Sequence, residues 1–322
     1  MKHTPEIPDF LDRRDPLAQA LHQMRMTGVV YCHSVLSAPW GLDMPPMPDC
    51  LVFHVITAGS GWLLIDGEPA RELRRGDFAL MPQGVGHLFL SEPGAASEPL
   101  FDLQREPIAE WLEVLRHGGG GPVSEAICGA MRFDDPVARH LAASLPRCIT
   151  IEGLHTPEME WLHSSFRLLA AEAGQRRAGS ESVITRLADI IVIQAIRSWV
   201  ESSAASQTGW LRGLQDRHVG RALASIHRDP AQPLTLADLA REGGLSRSAF
   251  TARFTQMVGT PPMAYVTQWR MRVALARLQE RRLPLAQLAA QVGYDSEAAF
   301  NRAFKRVTGL TPGSVRRGAT GR

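Results

Sequence analysis

The chain has 322 residues, of which 44% are hydrophobic and 21% charged, a size and composition typical of a soluble globular protein with two domains. It contains no run of eighteen apolar residues and no apolar leader core at its start, so we expect a cytoplasmic protein without a membrane partner. The four cysteines, Cys32, Cys50, Cys128 and Cys148, form no C-x-x-C pair, which argues against a zinc finger or a disulfide framework.

The formal net charge of +2 hides a division between two parts of the chain. Residues 1–210 contain 17 Lys and Arg against 26 Asp and Glu, whereas residues 211–322 contain 18 against 7. A basic segment of this size is typical of a module that binds phosphate groups, and an acidic segment is not. We therefore expect nucleic-acid contacts in the last third of the chain only.

The first 125 residues predict one helix followed by strands. Asp15–Met26 has apolar residues at helical spacing and predicts a short helix. From Val29 onward, short apolar runs bounded by Gly, Pro and Asp are typical of a small β-barrel or sandwich. The predicted strands are Val29–Leu36, Cys50–Ala58, Gly61–Ile65, Phe78–Met81 and His87–Ser91.

The segment from Gly76 to His87 (GDFALMPQGVGH) has the spacing G-x5-P-x-G-x2-H. This spacing predicts a turn into a strand, a Pro/Gly turn out of it, and a histidine that points into the interior. It resembles the second signature motif of the cupin barrel. The companion motif is only partial, because His54 precedes Gly59 by five residues but no H-x-H pair is present, and Val52 occupies the position of the expected glutamate.

His54, His87 and Cys128 are the candidate pocket residues. A non-haem iron enzyme needs three protein ligands and open positions, and two histidines do not supply them. Three alternatives stay open: a catalytic metal site, a small-molecule pocket or weak metal site that uses both histidines and a thiol such as Cys128, and hydrogen-bonded interior histidines. We expect neither a cofactor nor a catalytic residue.

Residues 126–201 predict a strand through Cys128 and Met131 and then a helical connector, with helices over Pro136–Leu145, Pro157–Ala173 and Ser182–Glu201. The last helix carries apolar residues on more than one face, which indicates a central position in the fold or pairing with a second copy of the chain. A homodimer through Ser182–Glu201 is one hypothesis, and packing within the chain is the other. Small polar residues over 202–210 predict an interdomain linker.

The last third contains an internal repeat with a period of fifty residues. Each half predicts a short helix, a tight turn and a second helix with a serine cap, which is the form of a helix-turn-helix. The repeated residues are Phe250, Phe254, Gly259 and Pro262 in the first half and Phe300, Phe304, Gly309 and Pro312 in the second. The predicted helices are Asp216–His227, Leu236–Glu242, Arg247–Val258, Pro262–Glu280, Leu285–Gln291 and Ser296–Val307.

The helix Pro262–Glu280 joins the two halves. At 1.5 Å per residue it is about 28 Å long. This length is close to the roughly 34 Å between successive major-groove faces on one side of a duplex. One rigid helix can thus set both units on adjacent turns of DNA.

Residues 211–317, and above all Ala289–Pro312 (AAQVGYDSEAAFNRAFKRVTGLTP), closely resemble the AraC/XylS family of bacterial transcription regulators. The N-terminal part resembles the cupin-type sensor domain of one branch of this family, through Ala38-Pro39-Trp40, the Gly76–His87 segment and Ile127-Cys128-Gly129. The resemblance implies an α+β protein with a cupin-like β-barrel and helical connector over residues 1–201 and an all-α tandem helix-turn-helix domain over residues 211–322.

The resemblance also implies partners. They are double-stranded promoter DNA, RNA polymerase contacted by an activator, and a small-molecule or redox effector sensed in the cupin-like part. Some members of the branch respond to oxidants through cysteines. Cys128 matches one such position, but the position of its partner, around Ser34, holds a serine.

Carried over by position, the residues that would contact bases are Ser248, Thr251 and Ala252 in the first unit and Glu297, Ala298, Asn301 and Arg302 in the second. Arginine can pair with guanine, asparagine with adenine, and glutamate can accept from cytosine. Arg247, Lys305 and Arg306 are expected to contact phosphates, which position the protein but do not specify a sequence. The alternative for each single residue is a solvated helix face.

Two other functions compete with a transcription regulator. The first is a metal-dependent cupin enzyme that the C-terminal part targets to DNA. The second is a thiol-based DNA-repair protein or redox sensor, which needs a cysteine activated by a neighbouring base. In the sequence, only Cys32-His33 and Arg147-Cys148 place a cysteine beside such a residue, and we interpret both as accidental.

Overall fold

The computed structural model of the chain describes residues 26–108, 110–133, 136–152, 164–165, 168, 171–172, 178–201, 209–280 and 283–319. These residues form two compact units, one within Met24–Ser202 and one within Ser203–Arg322. The predicted helix Asp15–Met26 lies outside the described residues except for Met26, which begins a strand, and most of the predicted helix Pro157–Ala173 also lies outside them. No described helix is both long enough and apolar enough to span a membrane.

The first unit contains twelve described strands and a 3-10 turn at Leu100–Asp102. Their bounds are β1 Met26–Ser37, β2 Gly41–Met44, β3 Cys50–Ala58, β4 Ser60–Leu64, β5 Arg71–Arg74, β6 Phe78–Met81, β7 His87–Leu90, β8 Glu98–Pro99, β9 Arg105–Pro107, β10 Leu112–Gly118, β11 Val123–Phe133 and β12 Ile149–Ile151.

The strands form two sheets that share one core. The larger has the order β12-β6-β3-β11-β1-β10-β9 and the smaller the order β5-β4-β7-β2-β8. Apolar side chains of both sheets belong to one buried cluster, with Trp40 of the loop before β2 at its centre and Phe89 of β7 packed edge-on against it at 5.0 Å. Within the described residues neither sheet closes on itself, so the predicted barrel is corrected to a pair of facing sheets.

Strand β3 shows why this unit has two buried layers. Its residues from Cys50 to Val55 are buried without interruption, as expected for a strand covered on both faces. Because side chains alternate along a strand, His54 lies on the face that also carries Val52 and Ile56 of the shared core. Phe53 faces the other way and stacks on Phe78 at 5.9 Å.

Two described helices belong to this unit. Helix α1 (Pro136–Ser144) contacts β11, and helix α2 (Ser180–Glu201) contacts β12. Along α2, the fully buried residues form a stripe at helical spacing: Ile184, Ala188, Ile191, Val192, Ala195, Ile196 and Val200. This stripe confirms that α2 packs within its own chain, and its other faces are considered below.

In the second unit every described element is a helix. The helices are α3 Gly209–Gln215, α4 Arg217–Arg228, α5 Leu236–Glu242, α6 Arg247–Val258, α7 Pro262–Glu280, α8 Leu285–Gln291, α9 Glu297–Thr308 and α10 Pro312–Ala319. Helix α3 packs on α4 and α6, and α10 packs on α7. Neither α3 nor α10 was among the predicted helices. The α+β class with a sheet-rich first part and a helical second part is confirmed.

Capping groups explain where the helices of the second unit begin and end. Thr235 and Asp238 form a reciprocal capping box at the start of α5. Ser246 accepts a hydrogen bond from the amide of Ala249 at 3.3 Å, and Ser296 accepts one from Ala299 at 3.2 Å. These caps fix the first turns of α6 and α9, so that both recognition helices start at a defined residue.

Candidate nucleic-acid interface and buried cysteine–histidine chain

Helix α6 presents one apolar and one polar face. Phe250 and Phe254 are fully buried with ring centroids 5.5 Å apart, as the four-residue spacing predicts. Arg247, Ser248 and Ala252 are exposed. Thr251 is half-buried and donates its hydroxyl to the carbonyl of Arg247 at 2.8 Å, which leaves mainly its methyl group for an outside contact.

Helix α9 repeats this design with longer side chains. Phe300 and Phe304 are buried with ring centroids 5.6 Å apart. The candidate contacts Glu297, Ala298, Arg302, Lys305 and Arg306 are all exposed. Asn301 is half-buried, and its Oδ1 atom is shielded from water and has no hydrogen-bond partner among the described residues. An amide oxygen left in this state costs free energy until a donor reaches it.

Two exposed cations of the second unit are already paired with carboxylates. Arg253 of α6 donates from Nε to Asp216 at 2.9 Å, and Arg241 of α5 pairs with Asp238 at 2.7 Å. Among the described residues, by contrast, no carboxylate lies within ion-pair distance of the four candidate cations of the recognition helices, which are Arg247, Arg302, Lys305 and Arg306. These four therefore keep their charge available for a phosphate or a base.

Asp216 has a second role at the start of α4. It accepts hydrogen bonds from the amides of His218 and Val219, both at 3.0 Å. Burial alone would raise the pKa of its carboxyl group, but the hydrogen bonds from Arg253 and from the two amides outweigh burial and lower the pKa below its usual value. Asp216 thus holds α4 and α6 together as a charged cap.

Arg270 of α7 joins the two helix-turn-helix units. Its Nη2 donates to the carbonyl of Gln232, in the loop before α5, at 2.8 Å. Its Nη1 donates to the carbonyl of Gly293, in the turn between α8 and α9, at 3.1 Å, and its guanidinium carbon lies 5.9 Å from the ring centroid of Tyr294. One side chain on the joining helix therefore contacts the loop of one unit and the turn of the other.

The core between α4 and α7 contains a buried histidine. His227 lies 2.9 Å from the hydroxyl of Tyr265 and packs on Trp269 with centroids 4.4 Å apart. Burial, and next the nearby charge of Arg272, lower the pKa of His227 from 6.5 to about 3. This ring is therefore neutral in the folded protein at neutral pH.

In the first unit, the three candidate pocket residues lie together between the sheets. Cys128 stands directly opposite His54 in the pairing of β11 with β3. The Sγ atom of Cys128 is 2.9 Å from Nδ1 of His54, and Nε2 of His54 is 2.8 Å from Nε2 of His87. His87, at the end of the Gly76–His87 segment, is 2.8 Å from the carbonyl of Val85 through Nδ1.

The carbonyl of Val85 fixes the direction of every hydrogen bond among these three side chains. Since the carbonyl of Val85 can only accept, Nδ1 of His87 donates and its Nε2 is the acceptor in the neutral ring. Nε2 of His54 then donates to His87, which leaves Nδ1 of His54 to accept from the Cys128 thiol. We refer to Cys128, His54, His87 and the Val85 carbonyl as the thiol–histidine chain.

Burial keeps the three side chains of the thiol–histidine chain neutral. It lowers the pKa of His54 well below the usual value, with a further contribution from His87, and it also lowers the pKa of His87. It raises the pKa of the Cys128 thiol above the usual range, and the neighbouring Cys32 adds to this. The resting state is therefore a thiol hydrogen-bonded to a free imidazole nitrogen.

The thiol–histidine chain does not have the geometry of a metal site. Two imidazole nitrogens bound to one zinc ion lie about 3.3 Å apart, whereas the two Nε2 atoms are in direct hydrogen-bond contact. His54 also turns its other nitrogen to Cys128, so the three side chains do not converge on one point. Among the described residues, no group of three His, Cys, Asp or Glu side chains is placed to hold a metal ion.

A small cavity of about 40 Å³ adjoins Cys128. Its lining is mainly apolar, with residues such as Val30, Leu42 and Val52. It also includes Cys32, Ser34 and Cys128 and the charged residues Arg105 and Glu113. Neither His54 nor His87 lines it, so the predicted pocket set divides: Cys128 faces the cavity, and the two histidines lie behind it. Ser34 is 3.9 Å from Cys128 and 3.6 Å from Cys32 through its hydroxyl.

The contacts of the cysteines agree with the interpretation of Cys32-His33 and Arg147-Cys148 as accidental, and they add a base that the sequence did not place beside a thiol. No sequence neighbour of Cys128 is a base, yet His54, 74 positions away, is in hydrogen-bond contact with its thiol. The two predicted neighbours, Cys32-His33 and Arg147-Cys148, place no base against sulfur: His33 instead pairs with Glu125 at 3.3 Å, and Arg147 donates to the carbonyl of Asp66 at 2.7 Å. Only the pairing of β3 with β11 brings Cys128 and its base together.

Comparison with known proteins shows the same two-part arrangement. The sequence matches the Cupin family over residues 15–201 and the Helix-turn-helix domain family over residues 239–318. A putative AraC-like transcription regulator from Streptomyces lividans is 32% identical over 311 residues, which cover 95% of this chain and 99% of the relative. The HTH-type transcriptional regulator MtrA from Neisseria gonorrhoeae is 27% identical over 311 residues, which cover 96% and 98%.

Among solved structures, the C-terminal domain of AraT, a response regulator from Geobacillus stearothermophilus, is 30% identical with a TM-score of 0.30. The match covers 31% of this chain and 84% of that one. The cupin match spans more than half of the chain, and the Streptomyces relative aligns along nearly all of it. The chain therefore belongs to the AraC family of transcription regulators, with an N-terminal cupin region and a C-terminal helix-turn-helix DNA-binding region.

Proposed function

We propose that this regulator reads two adjacent major-groove segments of promoter DNA with α6 and α9 and activates transcription in response to a signal received between the two sheets. The observation that carries the proposal is the pair of capped helices with buried phenylalanines and outward polar faces, joined by α7. Two such helices on one strut match the geometry of a double helix-turn-helix reader.

The two helices are proposed to read DNA in different ways. On α9, Arg302 pairs with guanine, Asn301 with adenine, and Glu297 accepts from cytosine. The unsatisfied Oδ1 of Asn301 supports this role, because the N6 amino group of an adenine would satisfy it. On α6, Ser248, Thr251 and Ala252 offer small side chains, so apolar contact with thymine methyl groups is the expected mode there.

Phosphate contacts are assigned to the free cations. Arg247 at the start of α6 and Lys305 and Arg306 near the end of α9 are exposed and have no ion-pair partner among the described residues. The excess of 18 Lys and Arg over 7 Asp and Glu in residues 211–322 supports attraction to the duplex as a whole.

A homodimer through α2 is part of the proposal. The helix buries one stripe against its own sheet and still exposes Val183 by 39% and Ile190 by 47% on another face. These residues are seven apart, with the half-buried Leu187 between them, which is the spacing of a helix-pairing seam. Because such a seam is self-complementary, we expect its binding partner to be the same helix of a second copy of the chain.

The remaining partners follow from the family. We expect activation through contact with RNA polymerase, a small-molecule or redox effector in the cupin region, and action in the cytoplasm, where promoter DNA is found. A metal-dependent enzyme is not proposed, because the thiol–histidine chain does not converge on a metal position.

Genome-wide mapping of bound sites tests the proposal and supplies the cognate site. Bases under each half-site are then exchanged one at a time and the dissociation constant is measured. We expect exchanges under α9 to weaken binding by about 1–3 kcal/mol each, and exchanges under α6 to cost less. Equal, small losses at all positions would contradict sequence reading by these helices.

A further inference from the structure

The thiol–histidine chain has the parts of an activated nucleophile. Cys128 supplies the nucleophile, and His54 accepts from its thiol at 2.9 Å through Nδ1. His87 orients His54 through the contact at 2.8 Å and is itself held by the carbonyl of Val85. A nucleophile, a base and a group that orients the base, all within hydrogen-bond distance, are the arrangement that allows covalent chemistry at sulfur.

The cavity beside Cys128 limits what can reach the sulfur. Its volume of about 40 Å³ compares with the 10–15 Å³ that one water molecule needs, so it admits a molecule of about three or four heavy atoms. Its lining is mainly apolar, and its two charged residues, Arg105 and Glu113, pair with each other at 3.3 Å, so it favours a neutral molecule over a charged one. The hydroxyl of Ser34, 3.9 Å from the sulfur, is placed to donate to a carbonyl oxygen of such a molecule.

We propose that Cys128 is a covalent attachment site for small α,β-unsaturated aldehydes, with His54 as its base. This inference deepens, and rests on, the proposed signal input between the two sheets. The aldehyde is the class of molecule that is small, neutral and reactive towards sulfur, and whose carbonyl oxygen can accept from Ser34.

The reaction needs no oxidant or other reactant. The thiol proton passes from Cys128 to Nδ1 of His54 while a sulfur lone pair forms a bond to the β-carbon of the aldehyde. The C=C π bond breaks, and its electrons move to the carbonyl oxygen as an enolate. The α-carbon of the enolate then takes the proton back from His54, which restores the neutral imidazole and leaves a saturated thioether aldehyde.

The chain contains a matched control for this reaction. Cys128 and Cys148 are both buried, each with 6% exposure, but among the described residues no histidine lies within hydrogen-bond distance of Cys148. A cysteine that reacts only because it is reached by solvent would thus behave like Cys148. A cysteine that reacts because a base activates it would behave differently.

The experiment first reduces the purified full-length protein and removes the reductant. It then treats the protein with acrolein, a four-heavy-atom aldehyde, and follows each cysteine by peptide mass spectrometry. We expect one acrolein adduct to form on Cys128 well before Cys148. The variant His54→Gln should slow the Cys128 reaction by about tenfold or more and leave the Cys148 rate unchanged. Equal rates at Cys128 and Cys148 in the unaltered protein would overturn the proposal.

A second measurement keeps the test decisive if His54→Gln does not fold. In the unaltered protein, the bulkier N-ethylmaleimide should favour Cys128 over Cys148 less than acrolein does, because the cavity excludes it. The same preference for both reagents, or a Cys32–Cys128 disulfide in place of the adduct, would contradict the assignment. Specific DNA binding is measured on the untreated sample: its absence contradicts the proposed function, whereas an unmodified Cys128 contradicts this inference alone.

Discussion

Asn301 and Arg302 are neighbours on α9, but their side chains differ in conformational freedom. Asn301 is half-buried and its Oδ1 has no partner among the described residues, whereas Arg302 is exposed and can choose among several rotamers. An adenine contact by Asn301 would remove an existing cost, while a guanine contact by Arg302 would order a flexible side chain. The two residues therefore gain affinity by different routes.

The substitution Arg302→Ala is expected to weaken binding to the cognate site by about 1–3 kcal/mol and to relax the preference at one base pair, because a bidentate contact with guanine is lost. Fluorescence anisotropy with the cognate site and its single-base variants measures both effects. Arg306→Ala is the control, since loss of a phosphate contact weakens binding to all sequences alike. An equal loss on random DNA for Arg302→Ala would argue against base reading.

His227 gives a pH dependence to the stability of the second unit. Its pKa is about 3 in the folded protein against 6.5 for a free histidine. Between pH 6.5 and pH 3, His227 therefore binds a proton in the unfolded chain but not in the folded chain. The contribution of His227 to the free energy of unfolding is fully present above pH 6.5 and decreases as the pH falls below 6.5. At pH 5 the contribution of this residue is a loss of about 2 kcal/mol.

Urea unfolding of His227→Gln at pH 7 and pH 5 checks this expectation. Glutamine keeps a hydrogen-bonding group near the hydroxyl of Tyr265 and does not titrate, so the variant should lose less stability than the unaltered protein on acidification. An identical loss in both proteins would show that other groups cause the acid sensitivity.

At the scale of elements, the turn between α8 and α9 depends on a glycine with two constraints. Gly293 has a φ of +76°, and a Cβ atom there would lie 2.8 Å from the guanidinium carbon of Arg270 and 3.1 Å from the carbonyl of Ala231. Gly309, after α9, has a φ of +74° but no atom within 4 Å of an added Cβ. Alanine substitutions at Gly293 and at Gly309 therefore separate the cost of backbone strain from the cost of steric crowding.

We expect Gly309→Ala to lower the free energy of unfolding by about 1–2 kcal/mol, the cost of the left-handed conformation for an L-residue. Gly293→Ala should cost more than this and also weaken DNA binding, because Arg270 must leave its hydrogen bonds to Gly293 and Gln232. Chemical denaturation and anisotropy measure the two effects. Similar results for the two variants would mean that the contact of Arg270 does not matter.

Prediction from sequence succeeded best where local chemistry sets the element bounds. The bounds of α5, α6, α7 and α8 were predicted to the residue. A threonine or serine cap and a glycine stop mark the ends of α5 and α6, and a proline marks the start of α7 and of α8. Strands β2, β5, β8, β9, β10 and β12 were missed. All of these except β10 have two to four residues, which are too few to show a period. Their pairing partners, which are distant in sequence, decide that they form.

Dependence on strand pairing between distant parts of the sequence also limits prediction of the buried site. His54, His87 and Cys128 were named as candidates, but their order and hydrogen bonds follow from the register of three strands and the turn at Val85. The residues proposed to contact DNA needed no such information, since their spacing on one helix fixes the face that they share.

At the scale of the whole molecule, the exposed seam on α2 leads to a prediction about assembly. Ile190→Glu places a charge in the centre of the proposed homodimer contact, so the sedimentation coefficient should shift from dimer to monomer. Ser182→Glu, at an exposed position one residue before Val183 and therefore on a different face of the helix, adds the same charge outside the seam and should leave the dimer intact. A monomeric unaltered protein at high concentration would remove the hypothesis.

The Arg270 contact has a consequence for the promoter itself. Since this side chain on α7 binds the loop before α5 and the turn before α9, the order of the two unlike recognition helices along the DNA is fixed within one chain. A half-site read in this way by one chain has a polarity, and inverting the half-site turns that chain end for end. Position and orientation of the site relative to the transcription start would then be selected together in every promoter under this regulator's control.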